Sequence, residues 1–257
     1  MNIFSFFCKK YKYMRKFLGY FLSPVYVLYF LLMITIFHPV MAIGNKIIGD
    51  NFRRKTIEAL NYILIKGLII IGVRPKFIGF DKIPANRPLI VVSNHSSLLD
   101  IPPIAWGFGK YYPRYISKKE LGSGIPSISH NLRHGGSALI DRASGSQAVK
   151  KILMVGKEVE KKNYAVCIYP EGTRSKNGKM RKFQSSGILT LLKAAPSAVI
   201  IPFAIGGHYD LHKYGSYPLN VGAKVTYTVL DPIEPKDFDK TELVPYIEKQ
   251  IRETLGQ

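Results

Sequence analysis

His95 and Asp100 stand five positions apart in Ser93-Asn94-His95-Ser96-Ser97-Leu98-Leu99-Asp100, directly behind the apolar run Leu89-Ile90-Val91-Val92. An imidazole in a polar turn at a strand end is suited to proton transfer. A carboxylate brought back to the ring fixes its tautomer and raises its basicity. On a single helix five positions subtend about 140° at 3.6 residues per turn, so the two side chains would not meet. The sequence instead predicts His95 in the turn and Asp100 near the start of the next helix, where Pro102 and Pro103 suit a first turn. A loop histidine beside an N-cap aspartate would show the same spacing, so the pair needs a second signal.

That signal is Tyr169-Pro170-Glu171-Gly172-Thr173-Arg174-Ser175, again behind an apolar run. Glycine lets backbone approach a ligand closely, and the planar fork of arginine suits a phosphate bidentately. Lys176, Lys179, Arg181 and Lys182 extend the cationic loop. A solvated basic turn explains the lysines well and Pro170-Glu171-Gly172 poorly. Upstream, Gly135-Gly136-Ser137-Ala138-Leu139-Ile140-Asp141-Arg142 reads as a glycine turn and a short strand ending in Asp-Arg. Arg142 is a candidate second phosphate contact, or a paired surface arginine. Downstream, Val199-Ile200-Ile201-Pro202-Phe203-Ala204-Ile205 is an apolar strand whose internal proline marks an edge or a bulge. Pro202 is a candidate wall of an acyl pocket, or plain core.

These segments need a scaffold that brings strand ends together. Short β-branched runs at 77–80, 89–92, 112–116, 138–140, 165–169, 199–205 and 224–230 alternate with amphipathic stretches. Val149, Ile152, Leu153, Gly156 and Val159 mark the apolar face of one helix, 187–194 forms another, and Leu243, Val244, Ile247 and Ile251 pattern a closing helix. The alternation predicts an α/β fold, a mixed and largely parallel sheet flanked by helices. Continuous apolar runs indicate central strands covered on both faces. With no internal repeat or low-complexity linker, 76–257 reads as one domain behind an N-terminal region at 1–75.

The chain has 257 residues, 47% of them hydrophobic, and a formal net charge of +20. Such an excess favours nucleic acid, an acidic membrane surface or a phosphorylated substrate. No aromatic-plus-basic motif for nucleic acid stands out, and the N-terminus selects the membrane. From Phe17 to Gly44 there is no formally charged side chain, a run long enough to cross a hydrocarbon core. Pro24 and Pro39 argue against one straight helix through it. A second apolar stretch at 62–73 is broken by Lys66, and basic residues flank both stretches, so charge gives no clean orientation. The expected arrangement is a membrane-associating pair of helices that enters and leaves on the cytoplasmic side or lies in the interface. The alternative is one span plus a core helix. Cys8 and Cys167 sit in unlike contexts, which predicts no disulfide framework and a reducing compartment.

Other chemistries fit less well. Gly135-Gly136-Ser137-Ala138-Leu139 lacks the last glycine of a serine-hydrolase elbow. Between Gly172 and Gly178-Lys179 there is one residue too many for a P-loop, and Met180 replaces its Ser or Thr. His130/His134 and His208/His212 have i, i+4 spacing without the zincin glutamate, so no metal is expected.

In order and spacing the four segments resemble the membrane glycerolipid acyltransferase family, of the bacterial 1-acylglycerol-3-phosphate acyltransferase type. The blocks are Asn94-His95-x-Ser97-x-x-Asp100, Gly136 to Arg142, Tyr169 to Ser175, and Ile201-Pro202-Phe203-Ala204-Ile205. Tyr169 stands where phenylalanine is common, and Ser137-Ala138 are smaller than the usual apolar pair.

The resemblance implies that His95 is the general base for the sn-2 hydroxyl of lysophosphatidic acid and that Asp100 orients it. Glu171, Gly172, Thr173 and Arg174, with Arg142, would hold the acceptor phosphate. The donor would be acyl-CoA or acyl-carrier protein, with no cofactor, and the product phosphatidic acid. The expected site is the inner membrane, with the active site facing the cytoplasm. Another lysophospholipid or glycerol 3-phosphate is the alternative acceptor. A non-catalytic protein docked on acidic lipid is the alternative class, which the ordered His-Asp and Glu-Gly-Thr-Arg blocks do not serve.

Overall fold

The computed structural model describes residues 3–141 and 144–257, with side chains from Tyr13 onward within those bounds. Among them the apolar runs form strands β1 (Lys76–Ile78), β2 (Leu89–Ser93), β3 (Arg114–Lys118), β4 (Ala138–Ile140), β5 (Ala165–Ile168), β6 (Val199–Gly206) and β7 (Thr226–Val229). They make one sheet in the order β1-β7-β6-β2-β5-β3-β4. Every pairing is parallel except that of β6 with β7. The helices are α1 (Ile3–Ile47), α2 (Asp50–Gly67), α3 (Ile101–Gly107), α4 (Ile128–His134), α5 (Gly145–Lys162), α6 (Ser185–Ala194), α7 (His208–Leu211) and α8 (Lys240–Leu255).

The sheet is covered on both faces, as its unbroken apolar strands require. Along β2, Leu89 and Val91 enter one core with Tyr26, Leu68, Ile71, Ile104 and Phe203. Ile90 and Val92 enter the other, with Ile152 and Val159 of α5, Ile188 and Leu191 of α6, and Ile247 of α8. The second apolar stretch therefore joins the domain core: Ile65, Leu68, Ile71 and Val73 are all buried there.

Helix α1 runs on through Pro24 and Pro39 as one continuous element. A proline deprives the carbonyl four residues earlier of its donor. For Pro24 that carbonyl belongs to Tyr20, and the Tyr217 hydroxyl donates to it at 2.7 Å. The helix lies along the domain rather than leaving it. The Ser23 hydroxyl accepts from the Leu219 N–H at 2.8 Å, and the Ser127 hydroxyl donates to the Ile34 carbonyl at 2.6 Å. A side chain at Gly67 would overlap the Tyr29 ring, so this glycine sets the closeness of α1 and α2. The opposite side of α1 is bare: Phe17, Phe21, Leu28, Leu32, Ile36, Val40 and Ile43 are exposed at helical spacing.

Strand β6 lies inside the sheet, between β2 and β7. Pro202 is accommodated by a bulge rather than an edge. Phe203 pairs with Val229, and Ile200 bridges Ile233, so two residues on β6 face three on the partner segment.

Candidate active site

Strands β2, β5 and β6 are neighbours, parallel and in register, with Val92 opposite both Ile168 and Pro202. Their C-terminal ends therefore emerge side by side. This edge of the sheet is where open α/β folds place ligands. It receives the loop after β2 (His95 to Asp100), the loop after β5 (Tyr169 to Ser175), and α7 after β6.

The loop after β2 is built around the Asp100 carboxylate. Its Oδ2 accepts from His95 Nδ1 at 2.7 Å and from the backbone N–H groups of Ser96 at 2.7 Å and Ser97 at 2.9 Å. The Ser97 hydroxyl accepts from the Leu99 N–H at 3.2 Å, closing a capping box over one tight turn, Leu98–Asp100, before α3. Behind the histidine, Asn94 clips the loop to β6, donating to the Ile205 carbonyl at 2.9 Å and accepting from its N–H at 2.8 Å. The His95 ring stacks on Tyr169 with centroids 4.2 Å apart.

Asp100 is fully buried. Burial alone would push its carboxyl up, but the hydrogen bonds from His208 and His95 outweigh it and hold the group well below the usual carboxylate range. An ionised Asp100 makes His95 Nδ1 the donor and leaves the lone pair on Nε2. The imidazole is 18% exposed, so that nitrogen is poised to accept a proton.

Glu171 has a different place from the phosphate contact expected. Its Oε1 accepts from the His95 N–H at 2.7 Å and its Oε2 from the Arg181 N–H at 2.8 Å. Burial raises its carboxyl, opposed by these two donors. The Ser175 N–H donates to the His95 carbonyl at 2.9 Å, so the loop after β5 grips the histidine backbone from both ends. Gly172 takes the left-handed φ of 73° that turns this loop.

A cleft of about 780 Å³ opens at the loop after β2, lined there by Ser96 and Ser97, the residues that follow His95, while His95 and Asp100 themselves stay out of its lining. Its polar lining includes Thr173, Arg174, Lys176, His212 and Lys213; its apolar lining includes Tyr26, Val27, Phe30 and Leu31 of α1. Thr173 and Arg174 thus reach the cleft, whereas Glu171 and Gly172 do not line it. Arg142 lies outside the described residues. Pro202 is corrected as an acyl wall: Ile201 and Phe203 point into the core beneath the cleft, and the alternation of β6 turns Pro202 to the opposite sheet face.

Two site residues escape the motif reading. His208, fully buried, places Nδ1 2.5 Å from Asp100 Oδ1 and Nε2 2.9 Å from the Tyr227 hydroxyl. His212 places Nε2 3.5 Å from the Ser97 hydroxyl. Burial, and then the neighbouring His208, lower its pKa. The available signal was positional: His208 follows an apolar strand through Gly206-Gly207, just as His95 follows β2.

A family model described as Acyltransferase matches residues 74–206. A 1-acyl-sn-glycerol-3-phosphate acyltransferase of Cocos nucifera is 30% identical over 164 residues, covering 64% of this chain and 52% of that protein. The alpha 1-acyl-sn-glycerol-3-phosphate acyltransferase of Mus musculus is 24% identical over 205 residues, covering 78% of this chain and 69% of that protein. The match thus spans only about half the length of the coconut relative. The crystal structure of the 1-acyl-sn-glycerophosphate (LPA) acyltransferase PlsC from Thermotoga maritima superposes with a TM-score of 0.77 at 25% identity, covering 93% of this chain and 95% of that one.

Proposed function

The chain belongs to the Acyltransferase family, and we propose that it transfers an acyl chain from acyl-CoA or acyl-carrier protein to the sn-2 hydroxyl of 1-acyl-sn-glycerol 3-phosphate, forming phosphatidic acid. The names of its relatives support this acceptor. The observation that carries the reading is the His95–Asp100 pair, at 2.7 Å, on a loop whose next residues line a cleft with both cationic side chains and apolar residues of α1.

In this mechanism His95 Nε2 takes the proton of the acceptor hydroxyl as its oxygen attacks the thioester carbonyl. Asp100 stabilises the imidazolium. The tetrahedral intermediate collapses, the C–S bond breaks, and the imidazolium returns its proton to the departing thiolate. Positioned base catalysis of this kind contributes ~10²–10⁴-fold. Orientation of the two substrates supplies much of the rest. A thioester is already activated, so the route needs neither a covalent acyl-enzyme nor a cofactor. Arg174 and Thr173, with Lys176 and Lys213, would pin the acceptor phosphate, and Arg142 stays a candidate for that role. The acyl chains would lie along Tyr26, Val27, Phe30 and Leu31.

The bare stripe on α1 would sink into the lipid interface, bringing the cleft to the layer that holds both lipid substrate and product. The helix stays docked on the domain from Gly19 to His38, roughly 30 Å at 1.5 Å per residue. That favours an interfacial seat over a perpendicular span. We place this seat on the cytoplasmic face of the inner membrane. The test is product analysis: protein reconstituted in vesicles is offered a panel of lysolipids with labelled acyl-CoA and acyl-carrier protein. Labelled phosphatidic acid from lysophosphatidic acid supports the reading; labelling of a different lysolipid, or of none, overturns it.

A further inference from the structure

Asp100 faces two imidazoles, one on each oxygen: His95 on Oδ2 at 2.7 Å and His208 on Oδ1 at 2.5 Å. The second imidazole is fully buried, does not line the cleft, and is held at its far nitrogen by the Tyr227 hydroxyl at 2.9 Å. The backbone also fixes it. Gly207 has a φ of 81°, and a Cβ there would lie 1.8 Å from the Lys224 carbonyl oxygen, so the turn that aims His208 admits only glycine. Both ring nitrogens are satisfied in a dry site, where an unpaired group is costly, so the ring is held in one orientation toward Asp100.

We propose that His208, set by Tyr227, is a positioning residue that shares the Asp100 carboxylate with His95 and so tunes the basicity of the catalytic imidazole. The proposal rests on the assignment of His95 as the base. A Tyr227 hydroxyl that donates to Nε2 fixes the tautomer of His208 in which Nδ1 donates to Asp100. That donor withdraws charge from the carboxylate. His95 then feels a weaker anion, and its imidazolium is less favoured than beside an unshared aspartate. Asp100 is also held from rotating out of line with the ring.

Several other titratable groups face this centre. Cys167 and Tyr169 of β5 and its following loop feel the Asp100 charge, as do Glu171 beyond them, His212 behind α7 and Tyr227 on β7. Arg174 faces His212. None of these six is seen to hydrogen-bond the carboxylate through its side chain; among the described residues His95 and His208 do.

The test is the pH dependence of kcat in His208→Leu, His208→Asn and Tyr227→Phe, with His95→Ala alongside. Leucine removes the donor. It should lower kcat about ten-fold or more, leave the acceptor KM near wild type, and move the acid limb upward by about one pH unit, the scale on which a lost charge-assisted hydrogen bond shifts an acidity. Asparagine places an N–H near the position of Nδ1 and should restore the limb. Tyr227→Phe should move it in the same direction as leucine by less, and carries the test if the leucine protein does not fold. A folded His208→Leu or Tyr227→Phe enzyme with the wild-type limb and kcat overturns the proposal while the base assignment stands. If instead His95→Ala stays active, the base assignment itself is lost.

Discussion

The backbone N–H of His95 donates to Glu171 Oε1 at 2.7 Å, a contact between residues 76 positions apart. The same carboxylate holds the Arg181 N–H at 2.8 Å. Glu171 is therefore a clamp between two loops, and it fixes where the imidazole begins. In Glu171→Gln one oxygen becomes an NH₂ that must face a backbone N–H. We expect a loss of about 1–3 kcal/mol in unfolding free energy, the cost of an unsatisfied buried group. We also expect a fall in kcat with little change in either KM. Denaturant unfolding and steady-state kinetics check both. An unchanged kcat would remove the clamp from the mechanism.

Arg174 is one of the cationic residues that line the cleft. Arg174→Ala should raise the acceptor KM by about ten-fold or more and the acyl-donor KM far less, because the proposal seats the acceptor phosphate, rather than those of the donor, on Arg174. Equal effects on both substrates would move the phosphate elsewhere.

Asp100 gives a pH signature of stability. Its folded pKa lies below the unfolded value of about 3.9. A group depressed in this way adds stability that is fully present above the unfolded pKa and lost as pH falls through the folded one. Asp100→Asn should therefore be less stable than wild type by about 1–3 kcal/mol at neutral pH, the cost of leaving buried donors without their charged acceptor. The gap should narrow below about pH 4. Urea titrations from pH 3 to pH 7 would read it, and a constant gap would contradict the ionised, buried carboxylate.

Much of this architecture is legible in the chain itself. The seven strands follow from continuous apolar runs, and β4 matches the run at 138–140 residue for residue. The meeting of His95 and Asp100 follows from a short turn between a strand and a proline-led helix. What is not legible depends on partners far along the chain. Glu171 binds two backbone N–H groups, which any residue supplies, so its side chain carries no mark of that role. His208 matters because β6 happens to lie next to β2, and strand order has no local signal. The continuity of α1 through Pro24 is also remote, since the hydroxyl that satisfies the Tyr20 carbonyl comes from Tyr217, 197 positions away.

The exposed stripe of α1 makes a prediction about lipid. Placing glutamate at Phe21, Leu28 and Ile36, each more than half exposed, leaves the domain core untouched. The triple variant should float free of anionic vesicles in a co-sedimentation assay, since binding scales with buried apolar area and with attraction to acidic headgroups. Its lysolipid turnover in vesicles should collapse with it. Full vesicle binding by the folded variant would assign membrane contact to another face.

The central claim is that His95 removes the acceptor proton, and His95→Ala tests it most directly. Wild type and variant, reconstituted at equal amounts in vesicles, are compared for transfer of a labelled acyl chain to lysophosphatidic acid. We expect the alanine protein to bind vesicles as wild type does and to lose at least about 10²-fold in kcat, the lower bound for a positioned general base. Acyl transfer by His95→Ala at the wild-type rate would contradict the account.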